Sequence, residues 1–224
     1  MTHLLLIRHA TNDWVGHRLA GWTPGVHLNE EGRRQAVALA EALAHWPVEA
    51  VYSSPLERAI ETAEPIAARL NLAVQIEEAV GETRYGDWTG SSLKELSQRP
   101  EWLRVLMNPS AARFPNGEGL AEMQARMVAA LDRIAAAHPK GVVAVVSHAD
   151  PIKSAVAHYA GIHLDLYQRV VISPASVTWI HLTERGPRVI CVNYTGQLQP
   201  PKPEEAATAE PAPAAASSDG AGSR

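Results

Sequence analysis

The sequence predicts an α/β fold, a three-layer sandwich with a mostly parallel central sheet between helices. Leu4–Ile7, Val48–Tyr52 and Val142–Val146 are aliphatic runs rather than alternating ones, as expected of strands buried on both faces. Long stretches of helical periodicity separate them, so strands and helices alternate with crossovers long enough to keep strands parallel. Each run also ends on polar residues: Arg8-His9, Ser53-Ser54-Pro55-Leu56-Glu57-Arg58 and Ser147-His148. Ligand crevices in such sheets open beyond the carboxyl ends of the strands. Two histidines and two arginines are therefore expected at one edge.

The elements follow in chain order. After the strand Leu4–Ile7, Asn29 can cap a helix whose first turn carries Glu30 and Glu31, both favoured at a positive helix start. Ala36, Leu39, Ala40, Leu43 and Ala44 recur at helical spacing behind them. Past the strand at 48–52, Ser54-Pro55-Leu56-Glu57 reads as a capping box with proline at the first helical position. Leu56, Ile60, Ala63, Ala67 and Leu70 predict that helix's inner stripe. From about 81 to 115 the pattern is irregular, with short helical stretches at 92–98 and 101–107, an excursion expected to cover the sheet edge and shape a pocket. A long helix is predicted over 118–137 with Leu120, Met123, Met127, Leu131 and Ile134 inward, the methionines as core filler. The strand 142–146, a helix over 151–160 and strands near 177–182 and 188–192 complete the unit.

The chain has 224 residues, enough for one large domain or at most two small ones. Residues 1–198 are read as one domain. From Gln199 the composition turns to Pro, Ala, Glu, Ser and Gly, so 199–224 is expected to be a disordered tail. Net charge -4 and a pI near 6.2 argue against a nucleic-acid partner. No apolar stretch is long enough to span a membrane, and the amino end lacks a basic leader. The single cysteine, Cys191, excludes an internal disulfide and is expected to be a buried strand residue. A cytoplasmic protein is the expectation.

The chemistry lies in four places. A neutral imidazole at His9 is a good nucleophile toward phosphorus, and the Arg8 guanidinium matches phosphate oxygens bidentately. Arg58 stands one turn into a helix whose free amides favour an anion, although an ion pair with Glu57 or Glu61 is its ordinary alternative. His148 can donate to a phosphate oxygen or stabilise charge in the transition state, or serve only as a helix cap. Glu82, in Gly81-Glu82-Thr83-Arg84-Tyr85, is the candidate general acid, since aromatic surroundings and a bound dianion can keep a carboxyl protonated near neutral pH. Alone it would read as a loop glutamate. The remaining histidines lack metal-ligand spacing. Among them His17 is expected nearest the pocket, with Trp14, Trp22, Trp88 and Arg18 as candidate walls.

The blocks LLLIRHA at 4–10, HLNEEGRRQA at 27–36, SSPLERAIETAEPIA at 53–67, ETRYGDWTG at 82–90, FPNGEGLAEMQARM at 114–127 and VVSHAD at 145–150 resemble, in order, those of the histidine phosphatase superfamily, the phosphoglycerate mutase-like branch 1 group. Residues 19–28 are also similar to a bacterial phosphomutase-like subgroup. The resemblance implies a phosphoglycerate mutase-like fold, His9 as the phosphorylated nucleophile, Arg8, Arg58 and His148 as the phosphoryl clamp, and Glu82 as proton donor. It implies no metal and no cofactor, because guanidinium and imidazole groups supply the positive charge. One departure stands out: the family's phosphate-binding asparagine falls at Val15 here. Asn12 and Gly21 are the candidates for the substrate contacts thereby left open.

The leading expectation is a phosphomonoesterase for a small phosphorylated metabolite, working through a phosphohistidine. A phosphoglycerate mutase-type phosphomutase is the alternative; the stretch from Gly90 to Pro115 is shorter than the insertion in cofactor-dependent mutases. A phospho-ligand sensor that kept the clamp but lost turnover is the third reading. A homodimer stays open.

Overall fold

The computed structural model describes residues 1–196; the segment read as a tail lies outside the described residues. A six-stranded sheet runs in the order β3-β2-β4-β1-β5-β6. Its strands are β1 (Thr2–Arg8), β2 (Val48–Ser53), β3 (Val74–Ile76), β4 (Val142–Ser147), β5 (Val177–Thr183) and β6 (Gly186–Tyr194). β3, β2, β4 and β1 pair in parallel, whereas β5 pairs antiparallel with both β1 and β6. The mostly parallel sheet is as the aliphatic runs predict. β3 went unpredicted.

Side-chain alternation along the central strands divides the core into two layers. Leu5, Ile7, Ala144 and Val146 face helices α1 (Glu30–Leu43) and α2 (Glu57–Arg69). Leu4, Leu6, Val143 and Val145 face α5 (Leu120–Ala137) and α6 (Ala149–Tyr159). Each large aliphatic side chain buried this way contributes roughly 1.5–3 kcal/mol. The excursion, with its short helices α3 (Leu93–Leu96) and α4 (Pro100–Met107), packs a third cluster around Tyr85, Trp88, Phe114 and Tyr167.

Several local expectations hold and others shift. Asn29 caps α1, its side chain accepting from the Gly32 amide at 2.9 Å. The capping box at Ser54 does not form: α2 begins at Glu57, with Leu56 at its N-cap and no side-chain cap. Its buried face is Arg58, Ala59, Thr62, Ala63, Ile66 and Ala67, with Ile60 and Leu70 only half-buried. The helix is turned so that Arg58 and Thr62, four residues apart on one face, point toward the end of β1. Cys191 is half-buried, because β6 is an edge strand with alternating exposure. Among the described residues no helix is long and apolar enough to cross a membrane.

Candidate active site

Sheet register brings the predicted residues together. Arg8 pairs with Ser147 across β1 and β4, and Ser53 pairs with Val146 across β2 and β4. The next residues continue the ladder: the His9 amide donates to the Ser147 carbonyl at 2.9 Å, and the Ser54 amide to the Val146 carbonyl at 3.0 Å. Arg8, His9, Ser54 and His148 thus emerge at one edge, and α2 carries Arg58 to the same point. Arg58 does not take its ordinary alternative. Glu61 instead accepts from the Leu28 amide at 2.8 Å and contacts His27, while Glu57 accepts from the Gly25 amide at 2.9 Å.

The His9 and His148 rings lie 5.1 Å apart. His9 Nδ1 is 2.7 Å from the Ala10 carbonyl. A carbonyl only accepts, so Nδ1 carries the proton and Nε2 keeps a free lone pair. Burial, then the charges of Arg58 and Arg8, pushes His9 well below its usual pKa, which keeps the ring neutral. Burial and Arg58 do the same to His148. Arg58 donates to His148 Nδ1 at 3.3 Å, so His148 donates from Nε2 to Ser54 Oγ at 2.8 Å.

Four buried donor atoms here have no protein partner: Arg8 Nε, Arg58 Nε and NH1, and Asn12 Nδ2. Burying unpaired donors, charged ones above all, is costly. The set suits an anion with several acceptor oxygens. Asn12 points its amide this way because its Oδ1 already accepts from the Trp14 amide at 2.9 Å. A cavity of about 270 Å³ joins Arg8, His9, Asn12, Arg58 and Glu82. A wider groove of about 840 Å³, between α1 and the β5–β6 end of the sheet, holds none of the predicted site residues.

Glu82 stands at the rim of this cradle, one carboxylate oxygen 4.0 Å from His148 Nδ1. Burial, then the nearby Asp150 carboxylate, raises its pKa to about 7, against the opposing pull of Arg58, the Thr83 amide and Arg8. Its backbone is fastened from behind. Trp22 Nε1 donates to the Glu82 carbonyl at 2.6 Å, and Arg126 on α5 donates to the carbonyls of Ala79, Gly81 and Glu82 at 2.8–2.9 Å. Glu118 holds the Arg126 guanidinium at 2.6 Å. Gly81 is needed for close approach: a Cβ there would lie 2.5 Å from the Trp22 ring and 2.9 Å from the Glu78 carbonyl.

A model of the histidine phosphatase superfamily, branch 1, matches residues 4–195. The chain belongs to this superfamily. It is 33% identical over 202 residues to phosphoserine phosphatase 1 of Hydrogenobacter thermophilus, covering 88% of this chain and 95% of that protein. Among solved structures, YhfR of Bacillus stearothermophilus superposes with a TM-score of 0.82 at 27% identity, over 88% of this chain and 99% of its own. A phosphoserine phosphatase from Entamoeba histolytica, in complex with 3-phosphoglyceric acid, gives 0.79 at 26% identity, over 89% and 100%. As a member of the histidine phosphatase superfamily the chain is an enzyme, and the phosphoglycerate mutase-like fold expected of it is the one observed.

The structure also relocates some expected members of this histidine phosphatase site. Gly21 does not line the cavity; its carbonyl accepts from Arg58 at 2.8 Å, in a left-handed conformation with φ +51° that favours glycine. His17 is exposed and does not line it, whereas Trp14 and Arg18 of the same turn do. Trp22 grips the Glu82 loop, and Trp88 is buried in the aromatic cluster. Residues the sequence reading missed are Ser54, Thr62 and Arg126. Thr62 Oγ1 accepts from the Ala10 amide at 3.0 Å, tying the segment after His9 to α2. Only its spacing of four from Arg58 signalled this.

Proposed function

We propose that the chain is a phosphomonoesterase for a small phosphorylated metabolite and that it works through a phosphohistidine on His9. The observation that carries this reading is the set of four unpartnered buried donors around a neutral imidazole. Arg8, Arg58 and Asn12 hold the phosphoryl oxygens, and His148 orients Arg58. His9 Nε2 attacks phosphorus, the bond to the ester oxygen breaks, and Glu82 delivers its proton to that oxygen. Water, deprotonated by the Glu82 carboxylate, then attacks the same phosphorus. The P–N bond breaks, phosphate leaves and His9 is regenerated. Positioning and positive charge do most of the work, as in phosphoryl transfer generally.

Hydrolysis is favoured over transfer between hydroxyls because the chain is similar to proteins named as phosphatases, those of Hydrogenobacter thermophilus and Entamoeba histolytica. One cysteine in the chain supports a reducing, cytoplasmic setting. The decisive experiment is p-nitrophenyl phosphate turnover by wild type and His9→Ala, with a search for acid-labile phosphate on His9. A loss of about 10⁴-fold or more is expected. Undiminished turnover by His9→Ala would remove the nucleophile assignment.

A further inference from the structure

Beyond the phosphoryl cradle, the cavity holds an unusual pair. Asp150 and Lys153 both line it, one turn apart at the start of the helix that follows His148. Their side chains are 19% and 17% exposed, and Lys153 Nζ lies 3.5 Å from Asp150 Oδ1. That is long for a charge-assisted hydrogen bond, which closes to about 2.8 Å. Each partner is fixed from elsewhere. Tyr85 donates its hydroxyl to Asp150 Oδ2 at 3.0 Å, and Lys153 donates to Gln168 Oε1 at 3.0 Å. Gln168 in turn donates to the Tyr167 hydroxyl at 2.9 Å, which sets its amide orientation.

Hydrogen-bonding capacity is left over on both sides. An ammonium has three donors and this one uses two; Asp150 Oδ1 has only the long contact to Lys153. Arg18, the other cation on this side of the cavity, is exposed and donates to the Gly90 carbonyl at 3.1 Å. A substrate with an uncharged leaving group would desolvate both charges and pair with neither. One with only a carboxylate would pair with Lys153 but meet repulsion from Asp150. A group carrying both an ammonium and a carboxylate satisfies both.

On the phosphomonoesterase reading, on which this rests, we infer that Asp150 and Lys153 form the specificity subsite for an α-amino carboxylate on the leaving group, so that the substrate class is an O-phosphorylated amino acid. Asp150 takes the substrate ammonium and Lys153 its carboxylate, while Tyr85 and Gln168 hold the two side chains in place. Specificity of this kind comes from a site whose buried polar groups stay unpaired with the wrong substrate.

Three matched phosphate esters test it. O-phosphoserine carries both groups, 3-phosphoglycerate has a hydroxyl in place of the ammonium, and O-phosphoethanolamine lacks the carboxylate. Wild type is expected to give the highest kcat/KM with O-phosphoserine. Asp150→Asn should lower the phosphoserine to phosphoglycerate ratio, and Lys153→Met the phosphoserine to phosphoethanolamine ratio, each by about 10-fold or more. Lys153→Arg should restore part of the second ratio. A variant that merely perturbs the fold would lower all three substrates together and leave the ratios fixed; that result overturns the subsite. So does a wild type that turns over p-nitrophenyl phosphate without preferring O-phosphoserine, which leaves the phosphatase reading standing. Absence of turnover with every ester, the aryl phosphate included, would remove the phosphatase reading and the subsite with it.

Discussion

The cavity has two walls built by different means. One is made of strand ends and a helix start: Arg8 ends β1 and His9 follows it, Ser54 follows β2, His148 follows β4, and Arg58 lies in the first turn of α2. Main-chain ladder bonds of 2.9–3.0 Å fix where these residues emerge. The other wall comes from the irregular excursion and the start of α6, with Tyr85, Trp102 and Phe114 packed through their own aromatic contacts. A phosphoryl group demands the same donors whatever it is attached to, so its cradle gains from a rigid sheet. Leaving groups differ, and the wall that meets them rests on side-chain packing that can change without disturbing the sheet.

Three variants press on this division, beginning with the strongest. Arg58→Ala should lower kcat/KM by about 10³–10⁵-fold, the scale of a cationic group lost from phosphoryl transfer. The loss should be similar for aryl and metabolite phosphates measured side by side. A loss confined to one leaving group would break the division.

Glu82 stands where the walls meet, and Glu82→Gln should cost about 10²–10⁴-fold. The cost should be larger for alkyl phosphates than for p-nitrophenyl phosphate, whose leaving group departs without a proton. On the proposed mechanism its pKa of about 7 should set the alkaline limb of the wild-type rate. Glu82 holds its proton below that value, so activity falls as pH rises through about 7. His9 is depressed well below its usual value and stays neutral into the acid range, so the acid limb begins well below pH 6.5. Stability follows the same signs. A carboxyl raised from 4.5 stabilises the fold fully below pH 4.5, and that contribution is lost as pH rises through about 7. Thermal melts of Glu82→Gln against wild type should therefore diverge in favour of the variant at pH 8. A wild-type rate without an alkaline limb near 7 would sink the acid assignment.

Trp102→Ala, on the loop wall, should have the smallest effect, raising KM by about 3–10-fold with a lesser change in kcat. The change should differ between substrates. An equal effect on all of them would mean that this wall also supports the cradle.

The same division decides what was legible in the sequence. Arg8, His9, Arg58 and His148 were readable because each follows an aliphatic run buried on both faces, and register does the rest. Ser54 was misread because Ser-Pro-Leu-Glu satisfies a local capping pattern; its competing partner, His148, is 94 residues away. β3 spans three half-exposed or exposed residues at the sheet edge, too few to show a period. Gly21 was placed against substrate, but its carbonyl serves Arg58 through a turn whose path no propensity reveals. Nothing local in the sequence distinguishes Arg126, which grips three loop carbonyls, from any other helix arginine. Asp150 and Lys153 left only a faint trace, opposite charges three residues apart just past a strand-end histidine.

The partner that chooses the tautomer of His9 is a main-chain oxygen, the Ala10 carbonyl. A peptide carbonyl has no side chain to substitute and no proton to gain across the working range of pH. On the proposed mechanism, the orientation of the attacking nitrogen is thus insulated both from mutation and from acid, unlike catalytic imidazoles steered by a carboxylate. What remains adjustable is the course of the backbone at that residue, and Thr62 on the neighbouring helix holds it.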